Sequence, residues 1–250
     1  QQEPPVGVGV TAAARLSFGG QTEYNTFVAV DGVDTTQTFN GLQRSAPSQE
    51  VAKEFRVVNT SYSSEFGRGF GLVNIITRSG SNDYHGSAYV YFRNEALDAR
   101  NILQLPGQDR HRQVQYGAVF SGPIVRDRTF FIGNYEGQQR DQNPIFAEVI
   151  QRNLAAINRA KRALGLSEEN LGILQTNDYN VLFGKVDHYL APAHTLSARY
   201  NLVKGESLNV LPISRASMAP STARNNDLSD QSLAVSLTSL RGSGIVNEAR

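Results

Sequence analysis

The sequence predicts a mostly β protein, in which a small α+β unit precedes about six antiparallel strands of a large transmembrane β-barrel. Three observations predict it: the composition, a repeat of two residues in the strands after residue 84, and connections that alternate between long and short. The 250 residues include 22 Gly, 10 Tyr and 12 Phe. Turns and strands use these residue types more than helices do.

The composition excludes several classes of protein. The chain has 24 basic and 23 acidic residues, a formal net charge of +1, so we expect no nucleic-acid partner. The absence of cysteine excludes a disulfide scaffold and a cysteine-ligated zinc site. No apolar run approaches the ~20 residues of a transmembrane helix. The mean hydropathy of −0.36 is compatible with a membrane barrel, whose lipid-facing and lumen-facing residues alternate and cancel in the average.

The segment before residue 80 predicts a compact α+β unit. NTFVAVDGVD (25–34) is an apolar strand that enters a turn at Asp31-Gly32, and we interpret this turn as a hairpin and not as a calcium loop. PSQEVAKEFRVV (47–58) predicts a helical turn opened by Ser48, followed by a strand. LVNIIT (72–77) is apolar enough to predict a strand covered on both faces.

Period-2 patterns predict long strands in the rest of the chain. In TLSARYNL (195–202) the apolar side chains of every second residue share one face. SLAVSLTSL (232–240) and QVQYGAVF (113–120) show the same alternation. DRTFFIGNYEGQQ (127–139) is apolar on both faces and fits the pattern less well. The opposite faces carry small or polar residues, as the interior of a wide barrel requires.

The connections between these strands alternate in length, which is typical of a transmembrane barrel with long outer loops and short inner turns. We predict strands at 84–94, 113–121, 128–139, 178–189, 195–206 and 230–240. Long connections are expected near 95–112, 141–177 and 207–229, and short turns at 122–127, 190–194 and 241–248. Helical spacing within 146–166 predicts a helix in the longest connection, more consistent with a lid or packing element than with a partner site.

Several segments resemble one known family. EFGRGFGLVNIITRSGSNDYHG (65–86) resembles the end of the plug domain of TonB-dependent outer-membrane transporters. Further segments resemble the Oar-like branch of that family, in order along the chain. They are VDGVDTTQTFNG (30–41), PSQEVAKEFRVVNTSYSSEFGR (47–68), FRNEALDARN (92–101), GPIVRDRTFFIGNYEGQQR (122–140) and VDHYLAPAHTLSARYN (186–201).

The resemblance implies a division of the chain. Residues 1–82 would be the C-terminal part of a plug domain, and residues 83–250 the N-terminal part of the barrel. A plugged barrel of this kind needs about 22 strands, so we expect the chain to be an internal fragment. The start QQEPPVGVGV has no basic or apolar signal-peptide region, which agrees with that expectation.

The function implied by the resemblance is energy-coupled import of a scarce or large nutrient across the bacterial outer membrane. The ligand would bind at the plug apex and the outer loops. The implied partners are outer-membrane lipid and an inner-membrane energy-coupling protein of the TonB type, which would act through a segment that is not in this chain. The resemblance leaves the ligand open between an oligosaccharide, a peptide, a siderophore and cobalamin. It implies neither catalysis nor a cofactor.

The same resemblance suggests which residues hold the plug to the barrel wall. They are Glu65, Gly67, Arg68, Gly69, Gly71 and Asn74. The glycines would allow close backbone turns against the wall, and the two charged residues would form contacts that can be broken.

Two other functions fit parts of the pattern. The first is a passive outer-membrane porin or adhesin, and the second is a soluble all-β glycan-binding domain. The α+β unit before the first long strand argues against a passive pore, and the alternation of loop lengths argues against a soluble domain. The four histidines (85, 111, 188 and 194) form no i, i+4 pair, so we expect no metal site.

Overall fold

The computed structural model describes residues 26–35, 46–58, 71–97, 110–211, 219–242 and 244–250, and these residues form two β-sheets. The smaller is a four-stranded mixed sheet, called here the first sheet. The larger is a seven-stranded antiparallel sheet, called here the wall sheet. The prediction of a small unit followed by successive antiparallel strands is confirmed.

The first sheet has the order β2-β1-β4-β3. Its strands are β1 (Thr26–Val30), β2 (Val33–Asp34), β3 (Ala52–Val58) and β4 (Gly71–Thr77). Strand β4 runs parallel to β1 and antiparallel to β3. Leu72 packs with Phe27 and Ala29 on one face of this sheet, while Ile75 packs with Val30 on the other. The strand LVNIIT is therefore covered on both faces, as its apolar run predicts.

Ser48 begins the 3-10 helix Gln49–Val51, which leads into β3. Its hydroxyl accepts a hydrogen bond from the backbone N–H of Glu50 at 3.3 Å, so that one otherwise unpaired donor of the turn is satisfied. The predicted helical turn and its cap are therefore present.

The wall sheet is a meander in which each strand pairs with the next along the chain. Its strands are β5 (His85–Asn94), β6 (His111–Val125), β7 (Thr129–Gln142), β8 (Gln175–Ala191), β9 (His194–Val210), β10 (Arg224–Arg241) and β11 (Ile245–Ala249). The six long strands expected from sequence are present, but the expected short turn 241–248 is wrong at its end, because residues 245–248 belong to β11.

The two faces of the wall sheet differ in chemistry, and the register assigns each residue to a face. The inner face, which contacts the first sheet, carries Val119, Asn134, Phe183 and Asn201 in one cross-strand row. The outer face carries Val186, Ala198 and Val235 in another. Alternation along each strand produces both rows, so the period-2 assignments made from sequence are correct.

The connections alternate in length as predicted, although most strands are longer than expected. The short turns occupy residues 126–128, 192–193 and 242–244, and the long connections occupy residues 95–110, 143–174 and 211–223. The expected turn GPIVRD (122–127) is therefore wrong at its start, because Gly122–Val125 still belong to β6. Asn82 closes this turn by bonding to Asp127, once to the carboxylate at 2.5 Å and once to the N–H at 2.8 Å.

The longest connection contains the helix α1 (Glu148–Ala163), close to the predicted range of 146–166. Gly165 follows it with a φ of 71°, the left-handed conformation that commonly ends helices. Within the described ranges, no helix is long and apolar enough to cross a membrane.

Two glycines of the wall sheet provide a matched test of its packing. A Cβ on Gly117 would lie 2.5 Å from the Tyr89 hydroxyl and 2.7 Å from the Tyr135 carbonyl oxygen, whereas a Cβ on Gly184 would meet nothing within 4 Å. In the full-length protein, we expect Gly117→Ala to reduce the free energy of unfolding by about 1–3 kcal/mol, because overpacking displaces the ring and backbone. Gly184→Ala should change it by less than about 0.5 kcal/mol. Denaturant titration measures both, and equal effects would contradict this packing.

Candidate functional site: the contact between the two sheets

The turn between β1 and β2 contacts the wall sheet. Asp31 and Gly32 both have positive φ, 49° and 74°, which a two-residue hairpin turn of this type requires and which Asp-Gly tolerates. The Asn74 side-chain oxygen accepts a hydrogen bond from the Gly32 N–H at 3.0 Å. Thr77 donates to the Asp31 carboxylate from its N–H at 2.8 Å and from its hydroxyl at 2.7 Å. Strand β4 thus fixes the direction in which the turn points.

Three cationic side chains of the wall sheet surround this turn, and we call them the cationic socket: Lys185, Arg199 and Arg250. Lys185 Nζ lies 3.7 Å and Arg199 Nε 3.4 Å from Asp31 Oδ2. These two residues are cross-strand neighbours on β8 and β9, so one carboxylate lies between two positive charges.

The socket also binds the backbone of the turn. Arg199 donates to the carbonyl oxygen of Val30 at 3.1 Å, and Arg250 donates to that of Gly32 at 3.0 Å. Lys185 donates to the Thr77 hydroxyl at 3.0 Å. The cations therefore recognise the shape of the hairpin as well as its charge, because backbone carbonyls and a carboxylate must be presented together.

Burial raises the importance of this contact. The side chains of Lys185 and Arg199 are 10% and 5% exposed. Removing the carboxylate would leave two buried cations without their counter-charge, and breaking a buried ion pair from one side costs about 3–5 kcal/mol. The turn and the socket are thus strongly interdependent.

A second polar contact lies on strand β7. Glu136 is 5% exposed on the inner face and accepts hydrogen bonds from the Ser48 hydroxyl at 2.7 Å and the Tyr89 hydroxyl at 2.6 Å. Ser48 belongs to the segment before β3, whereas Tyr89 lies on β5 of the wall. One wall carboxylate thus joins the first sheet to a second wall strand.

A small apolar contact accompanies the polar ones. Val51 is fully buried and packs against Val119, Ile132 and Phe183 of the inner face. Since Val51 follows directly on the turn opened by Ser48, the same short segment supplies one apolar and one polar contact to the wall.

Of the six residues proposed from sequence, the structure describes two, Gly71 and Asn74. Glu65, Gly67, Arg68 and Gly69 are outside the described residues. Gly71 pairs with Thr26 at the start of β4, and Asn74 bonds to Gly32 within the first sheet. Asn74 therefore acts on the wall contact indirectly, by holding the Asp31-Gly32 turn.

Sequence reasoning missed Asp31, Lys185 and Arg199 as partners. A signal for the cations was present, because each is a charged residue at an inward position of a strand whose alternate residues are apolar. Such residues need a counter-charge or water on the inner side. Their common partner could not be read from the sequence, because Asp31 is more than 150 positions away in the chain.

The outer face is a broad apolar surface. Leu233 is 71% exposed, and further side chains of the same face are also exposed: Val90, Phe92, Phe120, Leu182, Val186, Leu190 and Val235. Tyr135 and Tyr200 lie at the edge of this surface that is nearer the long connections. Their hydroxyls donate to Asn180 at 2.6 Å and to Gln231 at 2.9 Å. Amphipathic tyrosines between an apolar band and polar residues are typical of a membrane interface.

Five aromatic residues of strands β5 and β7 divide between the two faces of the wall sheet. The register places Tyr89, Tyr91 and Phe130 on the inner face, whereas Phe92 and Phe131 lie on the outer face. These five residues therefore do not form a single aromatic belt.

Comparison with known proteins identifies the architecture. Residues 76–156 match the family model described as an outer membrane beta barrel domain. The chain is 27% identical over 192 residues to the TonB-dependent transporter Oar of Myxococcus xanthus, a match that covers 72% of this chain and 17% of the relative. Two mutant structures of the ferric enterobactin receptor PfeA of Pseudomonas aeruginosa have the same fold, with TM-scores of 0.56 and 0.59 at 15% and 13% identity.

These matches confirm the resemblance stated from sequence. The chain spans about a sixth of the length of its curated relative. It covers 31% and 32% of the two receptor chains, which in turn cover 88% and 89% of it. Residues 76–156 thus match an outer-membrane β-barrel domain, and the chain is similar in sequence to a TonB-dependent transporter and in fold to ferric enterobactin receptors.

The two faces of β10 provide a test of the membrane-facing surface. Val235 lies on the outer face near the middle of the apolar band, and Ser236 is the next residue, on the inner face. In the full-length protein folded into lipid vesicles, Val235→Arg should reduce the free energy of unfolding by about 2–4 kcal/mol, because the charged side chain would face lipid hydrocarbon. Ser236→Arg should cost clearly less. Urea titration gives both values, and the reverse order would show that the faces are assigned the wrong way round.

Proposed function

We propose that this chain is part of an energy-coupled importer of the bacterial outer membrane, in which the first sheet belongs to a plug held inside the barrel by contacts that can be broken. The observation that carries the proposal is the insertion of the Asp31-Gly32 turn between Lys185, Arg199 and Arg250 of the wall. A barrel wide enough for large nutrients leaks unless it is closed, and this turn joins the closing element to the wall.

The chemistry of the contact suits a plug that must move. Polar and charged contacts predominate, while Val51 contributes the apolar packing. Water can replace hydrogen bonds and ion pairs as a plug shifts, since the net contribution of each bond in water is only about 0.5–1.5 kcal/mol. Water does not replace apolar contacts in this way, so an apolar interface of similar size would resist rearrangement more strongly.

The proposed partners follow from the family. An inner-membrane protein of the TonB type would pull on a plug segment outside this chain, and the ligand would bind at the plug apex and the long connections. The receptors of similar fold are ferric enterobactin receptors by name. For this chain we keep four ligand classes: oligosaccharide, peptide, siderophore and cobalamin.

We also propose that the plug ends near residue 82 and the barrel begins near residue 83. Tyr84 supports this division, because it stacks on Phe120 of the wall at 5.7 Å and donates to the Pro123 carbonyl oxygen at 3.2 Å. Glu65, Gly67, Arg68, Gly69 and Gly71 remain proposed contacts between plug and wall, with Asn74 in an indirect role.

The two alternative functions fit the structure less well. A passive porin or adhesin has no need of a folded sheet bound to the wall by buried charges. A soluble glycan-binding domain would not expose so broad an apolar face, since surfaces of this size on soluble proteins mark interaction sites.

Asp31→Asn in the full-length transporter tests the plug contact. The change preserves the size of the side chain and removes the charge that Lys185 and Arg199 share, so we expect the docked plug to lose about 3–5 kcal/mol. Cells that carry this variant should become sensitive to antibiotics too large for ordinary porins. Glu54→Gln is the control, because Glu54 forms an exposed ion pair with Arg56 and should leave the permeability barrier unchanged.

Two outcomes would contradict the proposal. Equal sensitivity of Asp31→Asn and wild-type cells, at equal amounts of folded protein in the membrane, would mean that the socket does not hold the plug. Entry of the same antibiotics through the wild-type protein would favour a passive pore. Uptake assays with and without a proton uncoupler, on each of the four ligand classes, then test the energy coupling itself.

A further inference from the structure

A buried carboxylate joins two of the long connections at the end of the wall sheet opposite the short turns. Glu169 belongs to the connection between β7 and β8, which also contains α1, and its side chain is 3% exposed. It accepts hydrogen bonds from Lys161 Nζ at 2.5 Å, from the Ser221 N–H at 2.8 Å and from the Ser221 hydroxyl at 2.5 Å. Ser221 lies in the other connection, between β9 and β10.

The backbone of Glu169 is held as firmly as its side chain. Its N–H donates to the Asn158 side-chain oxygen at 2.7 Å, and its carbonyl accepts from the Asn158 side-chain amide at 3.1 Å. Asn158 and Lys161 both lie on α1. Glu169 therefore connects α1, through the side chains of Asn158 and Lys161, to the 3-10 helix Pro220–Thr222.

A second contact joins the connection between β7 and β8 to the end of strand β9. Asn209, near the end of β9, has a φ of 55°, and its side-chain amide donates to the carbonyl oxygen of Leu174 at 2.7 Å. The connection between β7 and β8 is thus held to β9 at its base and to Ser221 of the other connection at the level of the helix.

The charge of Glu169 is stabilised where it lies. Burial by itself would raise the pKa of Glu169, but the hydrogen bonds from Lys161 and Ser221 outweigh it, and the pKa lies below its ordinary value. The ion pairs Arg162–Glu168 and Arg152–Glu148 of the same connection are both exposed. Exposed pairs contribute little to stability, so Glu169 provides the strong contact.

We infer that Glu169 couples α1 to the segment 219–223 of the other connection, so that the two move and open together. An opening at this end of the barrel then requires either a joint movement of both connections or the breaking of the bonds to Glu169. This inference stands whether or not the protein is an importer, because it concerns only the mechanics of the two connections.

Hydrogen exchange in the full-length protein, followed by mass spectrometry, tests the coupling. Glu169→Gln preserves the side-chain volume and removes the charge that Lys161 meets. We expect exchange to become roughly ten- to hundredfold faster in both α1 and residues 219–223, since hydrogen bonds to charged groups contribute most. Exchange in β8 and β9 should stay at the wild-type rate, which shows that the barrel is folded. Glu168→Gln removes the exposed neighbouring charge and should change neither segment.

Ser221→Ala provides a second variant, because it removes one donor from the far connection and leaves α1 untouched in sequence. Faster exchange in α1 on this change would support the coupling directly. Acceleration confined to the segment that carries each substitution would overturn the inference, as would wild-type exchange rates in Glu169→Gln.

Discussion

The structure depends on one buried electrostatic contact, in which the carboxylate of Asp31 lies between Lys185 and Arg199. The contact needs both sheets. Strand β4 orients the carboxylate through Thr77, and the pairing of β8 with β9 places the two cations side by side. Burying any one of these charges without its partner would be costly. The first sheet therefore has one favoured position against the wall sheet, where it covers the inner face.

The same strands face two different environments, and this accounts for most of their composition. Outward positions carry exposed aliphatic and aromatic residues, whereas inward positions carry amides, hydroxyls and charges together with buried apolar residues. The segment around Phe130 and Ile132 departs from the alternation for a specific reason. Ile132 packs with Val51 of the short segment before β3, so an inward position there needs an apolar side chain.

The wall strands continue beyond the apolar band, which explains why the sequence analysis placed some strand residues in loops. β8 has 17 residues, whereas crossing a bilayer needs about 9–11. The first four residues of β8, from Gln175 to Asp178, lie next to the long connection and are polar on both faces, yet they pair with β7 and β9. Backbone hydrogen bonding thus continues where the hydrophobic alternation ends, and hydropathy cannot detect it. Above this level, Glu169 joins the two long connections.

The sequence by itself determined the class of fold, the order and faces of the wall strands, the alternation of connections, the helix near residues 146–166 and the family resemblance. These features follow from local periodicity, turn residues and continuous motifs. The tertiary structure decided which residues join the two sheets. Asp31 meets Arg199, and Ser48 meets Glu136, across separations that no local pattern records. Such pairs form only when sheet register and burial bring distant side chains together, because a charge needs its partner only after water has been excluded.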